Sequence, residues 1–279
     1  MIGVNIFDTL PRDCWVKINT EQLTNNLRIL NKFVQTPVLA VVKANAYGHG
    51  YVYAAHAFLN GGASYLGVAS LAEAMLLRQT GINAPILIIS GILPSEMIKA
   101  AQNGFEFFVW NKHHLDVLRE TASKSSPVRV HIKVNTGMGR LGCWPHEAVS
   151  ISTELDRIHG VEITGLATHF GSAYDLTLPD TSRQIEQFNQ IIHSLAIIGI
   201  RPRIIHAANS FGALCYPNMR FDMVRMGISL YGVPPSDILA LPDGVKTALT
   251  WHTRITSTNV LPKGHAVGYF REYIMPETG

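Results

Sequence analysis

Short apolar runs recur along most of the chain, and stretches with helical periodicity separate them. The first run, 38–42, has only apolar residues, as expected of a strand buried on both faces of a parallel sheet. Counting from Val38, eight runs predict strands, at 38–42, 65–69, 86–90, 106–109, 129–134, 163–169, 203–208 and 222–226. Eight strands that alternate with helices, without a residue motif that repeats with the same period, predict an α/β fold, a parallel (β/α)8 barrel of the TIM type.

The helices between these strands can be placed by their apolar faces and ends. Thr20 is expected to cap a helix with four apolar residues on one buried face, Leu23, Leu27, Leu30 and Phe33. The next helix is expected to stop at the two glycines 61–62. Ser70 and Glu73 have the spacing of a capping box, which would start another helix. Further helices are predicted at 94–102, 112–122, 145–158 and 182–198, with a short one after Asn209.

The pattern changes after Gly232. Residues 247–261 alternate between apolar and polar and are rich in β-branched side chains, which predicts the start of a mainly antiparallel β domain. The alternating segment 14–19 is expected to pair with it. We therefore predict a barrel over 13–240 and the beginning of a C-terminal β domain over 241–279. Because only two or three strands fit in the second range, that domain is expected to be truncated.

Composition and charge exclude several classes of protein. The 279 residues are 47% hydrophobic and 15% charged, which is typical of a folded globular chain. A net charge of +3 without a basic cluster predicts neither nucleic-acid nor membrane binding. The chain has no signal-peptide pattern and no apolar run near the roughly 18 residues of a spanning helix, and its three cysteines are widely spaced. We therefore expect a cytoplasmic protein, and no metal site is proposed because the 12 histidines form no ligand motif.

Polar residues follow several predicted strands at their carboxyl ends. They are Lys43, Lys133, Asn135, His169, Asn209, Ser210 and Arg225, with Gly227 beside the last. In a barrel these ends meet on one rim, where active sites lie, so the side chains are expected to converge. Each also has a simpler structural explanation when it is taken singly. A lone His169 is more often a hydrogen-bonded core residue, and a lone Arg225 is more often an ion-pair partner on the rim.

Two of the strand ends indicate an anion site. The loops after strands seven and eight of such barrels commonly bind phosphate. Ser210 offers a hydroxyl there, and Gly227 and Ile228 offer backbone N–H groups that a missing side chain leaves approachable. A lysine that faces this pocket, Lys43, would suit a Schiff base to pyridoxal phosphate, whose phosphate is anchored separately.

The segment 137–142, Gly-Met-Gly-Arg-Leu-Gly, matches the GxGxxG pattern of dinucleotide-binding folds. That fingerprint follows the first strand and leads directly into a helix. Here the helix is predicted only from residue 145, and Glu162, at the spacing of the ribose-binding acid, precedes a strand. We therefore interpret the segment as a glycine-rich turn that presents Arg140.

The run 40–50, Ala-Val-Val-Lys-Ala-Asn-Ala-Tyr-Gly-His-Gly, resembles the pyridoxal-phosphate attachment motif of alanine racemases. Further stretches resemble the same family in the same order, at 136–142, 168–170, 206–210, 223–228, 231–232 and 267–269. The resemblance covers about residues 13–274. It implies a barrel followed by a β domain, assembled as a head-to-tail homodimer.

The resemblance implies a role for each matching residue. Lys43 would hold the cofactor and act as one base, and Tyr269 would be the second base, acting in the partner subunit's site. The cofactor would be bound by Lys43, Tyr47, Asn209, Ser210, Arg225, Gly227 and Ile228, with Arg225 at the pyridine nitrogen. His169 would link Arg225 to the incoming tyrosine.

Two more residues belong to the substrate side of the implied site. Arg140 would lie near the cofactor's phenolic oxygen and the substrate carboxylate. Lys133 matches a position that is carbamylated in some members and would then brace Arg140. Phe270 departs from the family, which usually has glycine after the tyrosine. If that turn needs a positive φ, phenylalanine is costly there.

The implied reaction is the interconversion of L- and D-alanine by two-base proton exchange at Cα through a pyridoxal-phosphate Schiff base, which would supply D-alanine for cell-wall precursors. A broad-specificity amino-acid racemase and a non-catalytic pyridoxal-phosphate carrier barrel remain as alternatives. A decarboxylase on the same barrel is disfavoured because its lysine motif differs.

Overall fold

The computed structural model describes residues 13–122, 127–171 and 179–279. These residues form two compact units, one of Asn19–Ala248 and a smaller one of 13–18 with Leu249–Gly279. The described part of the chain has no helix that is both long and apolar enough to cross a membrane.

In the larger unit, eight parallel strands form one sheet. After β1 (Cys14–Ile18) of the smaller unit, they are β2 (Val38–Val41), β3 (Tyr65–Val68), β4 (Ile86–Ile88), β5 (Glu106–Val109), β6 (Val128–Lys133), β7 (Val161–Ala167), β8 (Ile204–His206) and β9 (Val224–Met226). Neighbouring strands follow chain order from β2 to β8, and β9 pairs with β2. Backbone hydrogen bonds from Asp222 to Ile205 and from Arg225 to Ala208, both 2.9 Å, bridge the seam between β8 and β9. The predicted (β/α)8 barrel is confirmed.

The helices lie between the strands along the chain. They are α1 (Thr20–Val34), α2 (Lys43–Tyr47), α3 (Tyr51–Gly61), α4 (Leu71–Gln79), α5 (Pro94–Gln102), α6 (Lys112–Thr121), α7 (Ala148–Asp156), α8 (Pro179–Ile197) and α9 (Ser210–Cys215). Strands β2 to β5 are buried along their whole length, which the apolar run 38–42 predicted for β2. Apolar side chains from several strands pack into one core cluster, Leu39, Val41, Tyr65, Leu87, Phe108, Ala167 and Met223.

The buried face of α1 differs from the prediction at the C-terminal end of the helix. Leu23, Leu27 and Leu30 are buried, but the prediction for Phe33 is wrong, since its side chain is 48% exposed and lies against the guanidinium of Arg220. Val34, four residues after Leu30, is buried in its place, because it continues the i, i+4 spacing of the leucines. The same face also buries Asn26. Its side-chain amide donates to the carbonyl oxygens of Leu230 and Lys246 and accepts from the Lys246 N–H.

The smaller unit contains two antiparallel strand pairs. β1 pairs with β10 (Leu249–Thr253), and β11 (Ala266–Val267) pairs with β12 (Tyr273–Ile274). Within the alternating segment 247–261, β10 covers only Leu249–Thr253. It ends at Thr253, opposite Cys14, where its partner strand begins. Residues beyond it, such as Ile255 and Val260, are exposed.

Candidate active site

A cavity of about 520 Å³ opens at the carboxyl ends of the barrel strands. Its lining includes the barrel residues that the sequence predicted for a site, namely Lys43, Tyr47, Lys133, Arg140, His169, Asn209, Ser210, Arg225, Gly227 and Ile228. Asn135 is buried beside it and accepts hydrogen bonds from the Gly137 and Gly139 N–H groups. It therefore shapes the glycine-rich turn that carries Arg140.

Lys43 begins a turn with unusual backbone geometry. The four residues after it, Ala44, Asn45, Ala46 and Tyr47, all have φ between 51° and 53°. This left-handed conformation costs an L-residue roughly 1–2 kcal/mol, so surrounding contacts must hold it. The tight turn also explains how Lys43 and Tyr47, only four positions apart, both line the same cavity.

Glu73 supplies part of that support. Its Oε1 accepts a hydrogen bond of 2.8 Å from the Ala44 N–H, and its Oε2 accepts one of 2.7 Å from the Ala69 N–H. The predicted capping box is only half formed, because Ser70 Oγ accepts from the Glu73 N–H at 3.3 Å while the Glu73 carboxylate bonds elsewhere. Glu73 thus connects the ends of β2 and β3, a role that sequence reasoning missed because the cap explained the residue locally.

The side of the cavity formed by the last two barrel strands presents a serine hydroxyl and a glycine backbone. The Gly227 N–H donates to Ser210 Oγ at 2.9 Å. A Cβ at Gly227 would lie 2.7 Å from Tyr47 Oη, so glycine keeps this backbone approachable. Four lysine and arginine side chains line the cavity, and its described lining contains no Asp or Glu, which makes it suited to a phosphate or a carboxylate.

Arg225 is the most heavily bonded of these side chains. Its Nη2 donates to the carbonyl oxygens of Thr168 and Ala207, both at 2.8 Å, and to His169 Nδ1 at 3.2 Å. Its Nη1 donates to His206 Nδ1 at 3.0 Å. Burial and the nearby Arg140 lower the pKa of Arg225 to about 10, which still leaves it charged at neutral pH. The guanidinium therefore has a fixed orientation.

Burial, together with nearby positive charge, favours the neutral forms of His169 and Lys133. Burial, followed by Arg225, Lys133, Arg140 and Lys43, lowers the pKa of His169 to about 2. Because Arg225 donates to its Nδ1, the ring carries its hydrogen on Nε2. Burial, then Arg225 and Arg140, lowers the pKa of Lys133 well below its ordinary value of 10.5.

Sequence reasoning assigned no role to three buried residues behind Arg225. His206 is bonded to His131, with Nε2 to Nδ1 at 2.8 Å, and His131 Nε2 is 2.7 Å from Glu106 Oε2. Each stands in a predicted strand among apolar residues. A polar side chain inside such a run was the available signal, since buried polar groups must have partners.

Comparison with known proteins identifies the family. Residues 18–235 match the sequence profile described as "Alanine racemase, N-terminal domain". The chain is also 38% identical over 260 residues to the alanine racemase of Symbiobacterium thermophilum, a match that covers 92% of this chain and 69% of that one. This chain belongs to the alanine racemase family.

Other alanine racemases give the same result. The one from Geobacillus kaustophilus is 37% identical over 271 residues, covering 95% of this chain and 70% of its own length. The alanine racemase of Bacillus anthracis, whose structure was solved with bound L-Ala-P, superimposes with a TM-score of 0.87 at 33% identity. That match covers 96% of this chain and 71% of the other.

Tyr269, which the sequence resemblance matched to this alanine racemase family, lies in the smaller unit with Phe270, which departs from it. The Tyr269 side chain is 92% exposed. Phe270 has φ 60°, so the turn does require the positive φ that makes phenylalanine costly.

Proposed function

We propose that the protein interconverts L- and D-alanine by two-base proton exchange at Cα, with pyridoxal phosphate as its cofactor. The observation that carries this proposal is that Lys43 and the anion pocket at Ser210 and Gly227 open into one cavity. In this role the protein would act in the cytoplasm as a homodimer and supply D-alanine for cell-wall precursors.

The residues of the cavity fit this cofactor. The phosphate would be bound by Tyr47, Ser210, Gly227 and Ile228, with Asn209 beside them, and the space that glycine leaves at 227 supports that placement. Arg225 would donate to the pyridine nitrogen, and Lys43 would form the covalent attachment. When bound, the cofactor supplies an electron-withdrawing ring that makes the Cα–H bond of the attached amino acid acidic.

Racemisation needs a proton removed from one face of Cα and one returned to the other, so it requires a base on each side. Lys43 would act on one face and Tyr269 of a second copy of the chain on the other. His169, whose hydrogen is held on Nε2 by Arg225, has a donor to offer the tyrosine oxygen. That hydrogen bond would stabilise the ionised form of the tyrosine.

Arg225 would also decide which reaction follows proton removal. A guanidinium whose pKa remains near 10 donates a hydrogen bond at neutral pH without transferring its proton. An unprotonated ring nitrogen makes the cofactor a weaker electron sink than a protonated one. Simple proton exchange is thereby favoured over transamination.

Arg140 and Lys133 would serve the substrate. Arg140 lines the cavity and suits the alanine carboxylate. The lowered pKa of Lys133 favours the neutral amine, which can attack carbon dioxide, form an N–C bond and release a proton to give a carbamate. The resulting anion would brace Arg140.

One experiment tests the assignment. The protein is incubated with pyridoxal phosphate and reduced with borohydride, any pyridoxyl adduct is located by mass, and alanine exchange is measured in parallel. We expect the adduct on Lys43, none in Lys43→Arg, which keeps the charge, and exchange of alanine faster than of serine, lysine or arginine.

Other outcomes separate the alternatives. An adduct on Lys43 without exchange would favour the carrier barrel, and similar rates for all four amino acids would favour the broad-specificity racemase. The absence of any adduct would overturn the proposal.

A further inference from the structure

A continuous line of hydrogen bonds runs through the barrel interior from β5 to the cavity. It starts at the carboxylate of Glu106, passes through His131 and His206, and reaches Arg225 and then His169. The four heavy-atom distances are 2.7, 2.8, 3.0 and 3.2 Å in that order. The side chains of Glu106 and His131 are at most 2% exposed, so water does not compete for these bonds.

The donors and acceptors in this line can have only one arrangement. A guanidinium donates and never accepts, so His206 Nδ1 is an acceptor and its hydrogen lies on Nε2. That hydrogen makes His131 Nδ1 an acceptor in turn, which places the hydrogen of His131 on Nε2, facing Glu106. Both rings are therefore neutral, in agreement with the strongly lowered pKa of His206, which burial and then Arg225 produce.

The line also connects opposite charges. Lys43, Arg140 and Arg225 place positive charge on the cavity, whose described lining has no carboxylate. Buried charge is costly unless it is paired, and Glu106 is the anion at the far end of the line. Its own surroundings are Tyr65 Oη at 3.5 Å and the partly exposed Arg129 at 3.7 Å.

The packing around the rings is shaped for this contact. Gly165 lies on β7, between the strands of His131 and His206, and a Cβ there would overlap His131 Nδ1. The register of β6 against β7 shifts between Val130 and His131. A glycine and an irregular register, both at the His131 ring, leave the space in which the two imidazoles meet.

We propose that Glu106 is a positioning residue for the reaction and acts through His131 and His206 on Arg225. Its charge and the fixed tautomers hold the guanidinium in one orientation, with one Nη1 hydrogen on His206 and the Nη2 hydrogens on Thr168, Ala207 and His169, so that the remaining hydrogens are presented in a constant way to the pyridine nitrogen. This inference rests on the proposed function and assigns it a residue at the opposite end of a strand from the cavity.

The first test needs no cofactor. Long-range ¹H–¹⁵N spectra of the ¹⁵N-histidine-labelled apoprotein at pH 7 report the protonation of each ring nitrogen. We expect His131 and His206 to be neutral and protonated on Nε2. In Glu106→Gln the side-chain carbonyl can still accept from His131, so the tautomers should persist while the His206 resonances shift. A cationic ring, or a hydrogen on Nδ1 of His206, in the wild type would overturn the proposal whether or not any variant folds.

The second test uses the loaded enzyme. Glu106→Gln removes the charge but keeps an acceptor, and Glu106→Leu removes both. Glu162→Gln is the control, since it removes an exposed carboxylate near the start of β7. By analogy with the partners behind metal-bound histidines, Glu106→Gln should lower kcat by about tenfold while KM changes less than about twofold. The absorbance maximum of the bound cofactor should also shift. Glu106→Leu should cause a larger loss of kcat and a larger absorbance shift than Glu106→Gln.

The outcomes separate this inference from the proposed function. If the wild type takes up no pyridoxal phosphate, the proposed function fails while the histidine spectra stand. If Glu106→Gln matches Glu162→Gln in kcat and in absorbance, Glu106 has no effect on the site and the inference is overturned. The inference is also overturned if the fall in kcat is fully accounted for by a smaller fraction of folded protein, measured in a thermal scan.

Discussion

The Glu73 carboxylate accepts a 2.8 Å hydrogen bond from the backbone N–H of Ala44, the residue that follows Lys43. This contact joins a helix that starts after β3 to the left-handed turn after β2. A strained backbone persists only where its surroundings hold it. The orientation of Lys43 therefore depends on the Glu73 side chain, which lies 29 positions after Ala44 in the sequence.

We expect Glu73→Ala to destabilise the fold by about 1.5–3 kcal/mol, because it removes a charged acceptor from the Ala44 and Ala69 N–H groups. Urea unfolding measures this loss, and borohydride trapping should show slower adduct formation at Lys43. Glu73→Gln is the matched control, since it keeps one acceptor oxygen and should lose less. Equal stability of the wild type and Glu73→Ala would contradict the role.

Gly227→Ala should weaken cofactor binding with little loss of stability. The added methyl would lie 2.7 Å from Tyr47 Oη, the far end of a side chain that can move away. Moving Tyr47 would remove one group proposed to bind the phosphate. We expect the Kd for pyridoxal phosphate to rise by about tenfold, the equivalent of about 1.4 kcal/mol, with the midpoint of urea unfolding nearly unchanged.

Gly48→Ala is not a suitable control for that variant, because its φ of 87° strains any other residue. Gly91→Ala is better matched, since its Cβ would meet only ordinary contacts at 3.5 Å or more. An unchanged Kd in Gly227→Ala would show that the phosphate binds elsewhere.

Lys133→Met should stabilise the cofactor-free protein at pH 7. The folded-state pKa of Lys133 is lowered, so below the unfolded value near 10.5 the unfolded chain binds a proton that the folded chain does not. Stability of the wild type therefore falls as the pH drops from about 10.5 towards the lower folded value. Each unit of difference is worth about 1.4 kcal/mol, and we expect a gain of at least about 1 kcal/mol.

Urea unfolding between pH 7 and pH 10.5, in buffers without carbon dioxide, measures this effect. The gain should shrink as the pH rises, because the unfolded wild type then also loses its proton. Lys112→Met, at an exposed lysine, should show no such dependence. A pH-independent gain would mean that packing, and not the charge of Lys133, causes it.

Arg225→Glu should raise transamination relative to racemisation. A carboxyl group near the ring nitrogen favours its protonation, which strengthens the ring as an electron sink. The measurement is the ratio of pyruvate formed to alanine racemised, which does not depend on the amount of folded protein. Arg225→Lys keeps a cation and should leave the ratio near that of the wild type, and an unchanged ratio in Arg225→Glu would count against the role of the arginine.

Much of the site could be predicted because barrel geometry converts positions along the chain into positions in space. Lys43, His169 and Ser210 each follow a barrel strand, and the carboxyl ends of parallel strands share one rim. The long motif around Lys43 supplied the chemistry. The predictions failed where a residue had more than one possible partner. Whether Phe33 is buried depended on what packs beside α1, and the Glu73 carboxylate had both a local donor and more distant ones.

Apolar periodicity and the positions of polar residues, which are local properties of the chain, were enough to predict the eight-strand barrel and its rim residues, and the motif around Lys43 indicated the family. The connection of Glu106, His131 and His206 to Arg225 emerges only in the folded chain. The bond between the two histidines spans 75 positions and needs the missing side chain of Gly165 on the strand between them. Such a contact depends on the register of neighbouring strands, and a pattern read along one strand carries no information about the register of the next.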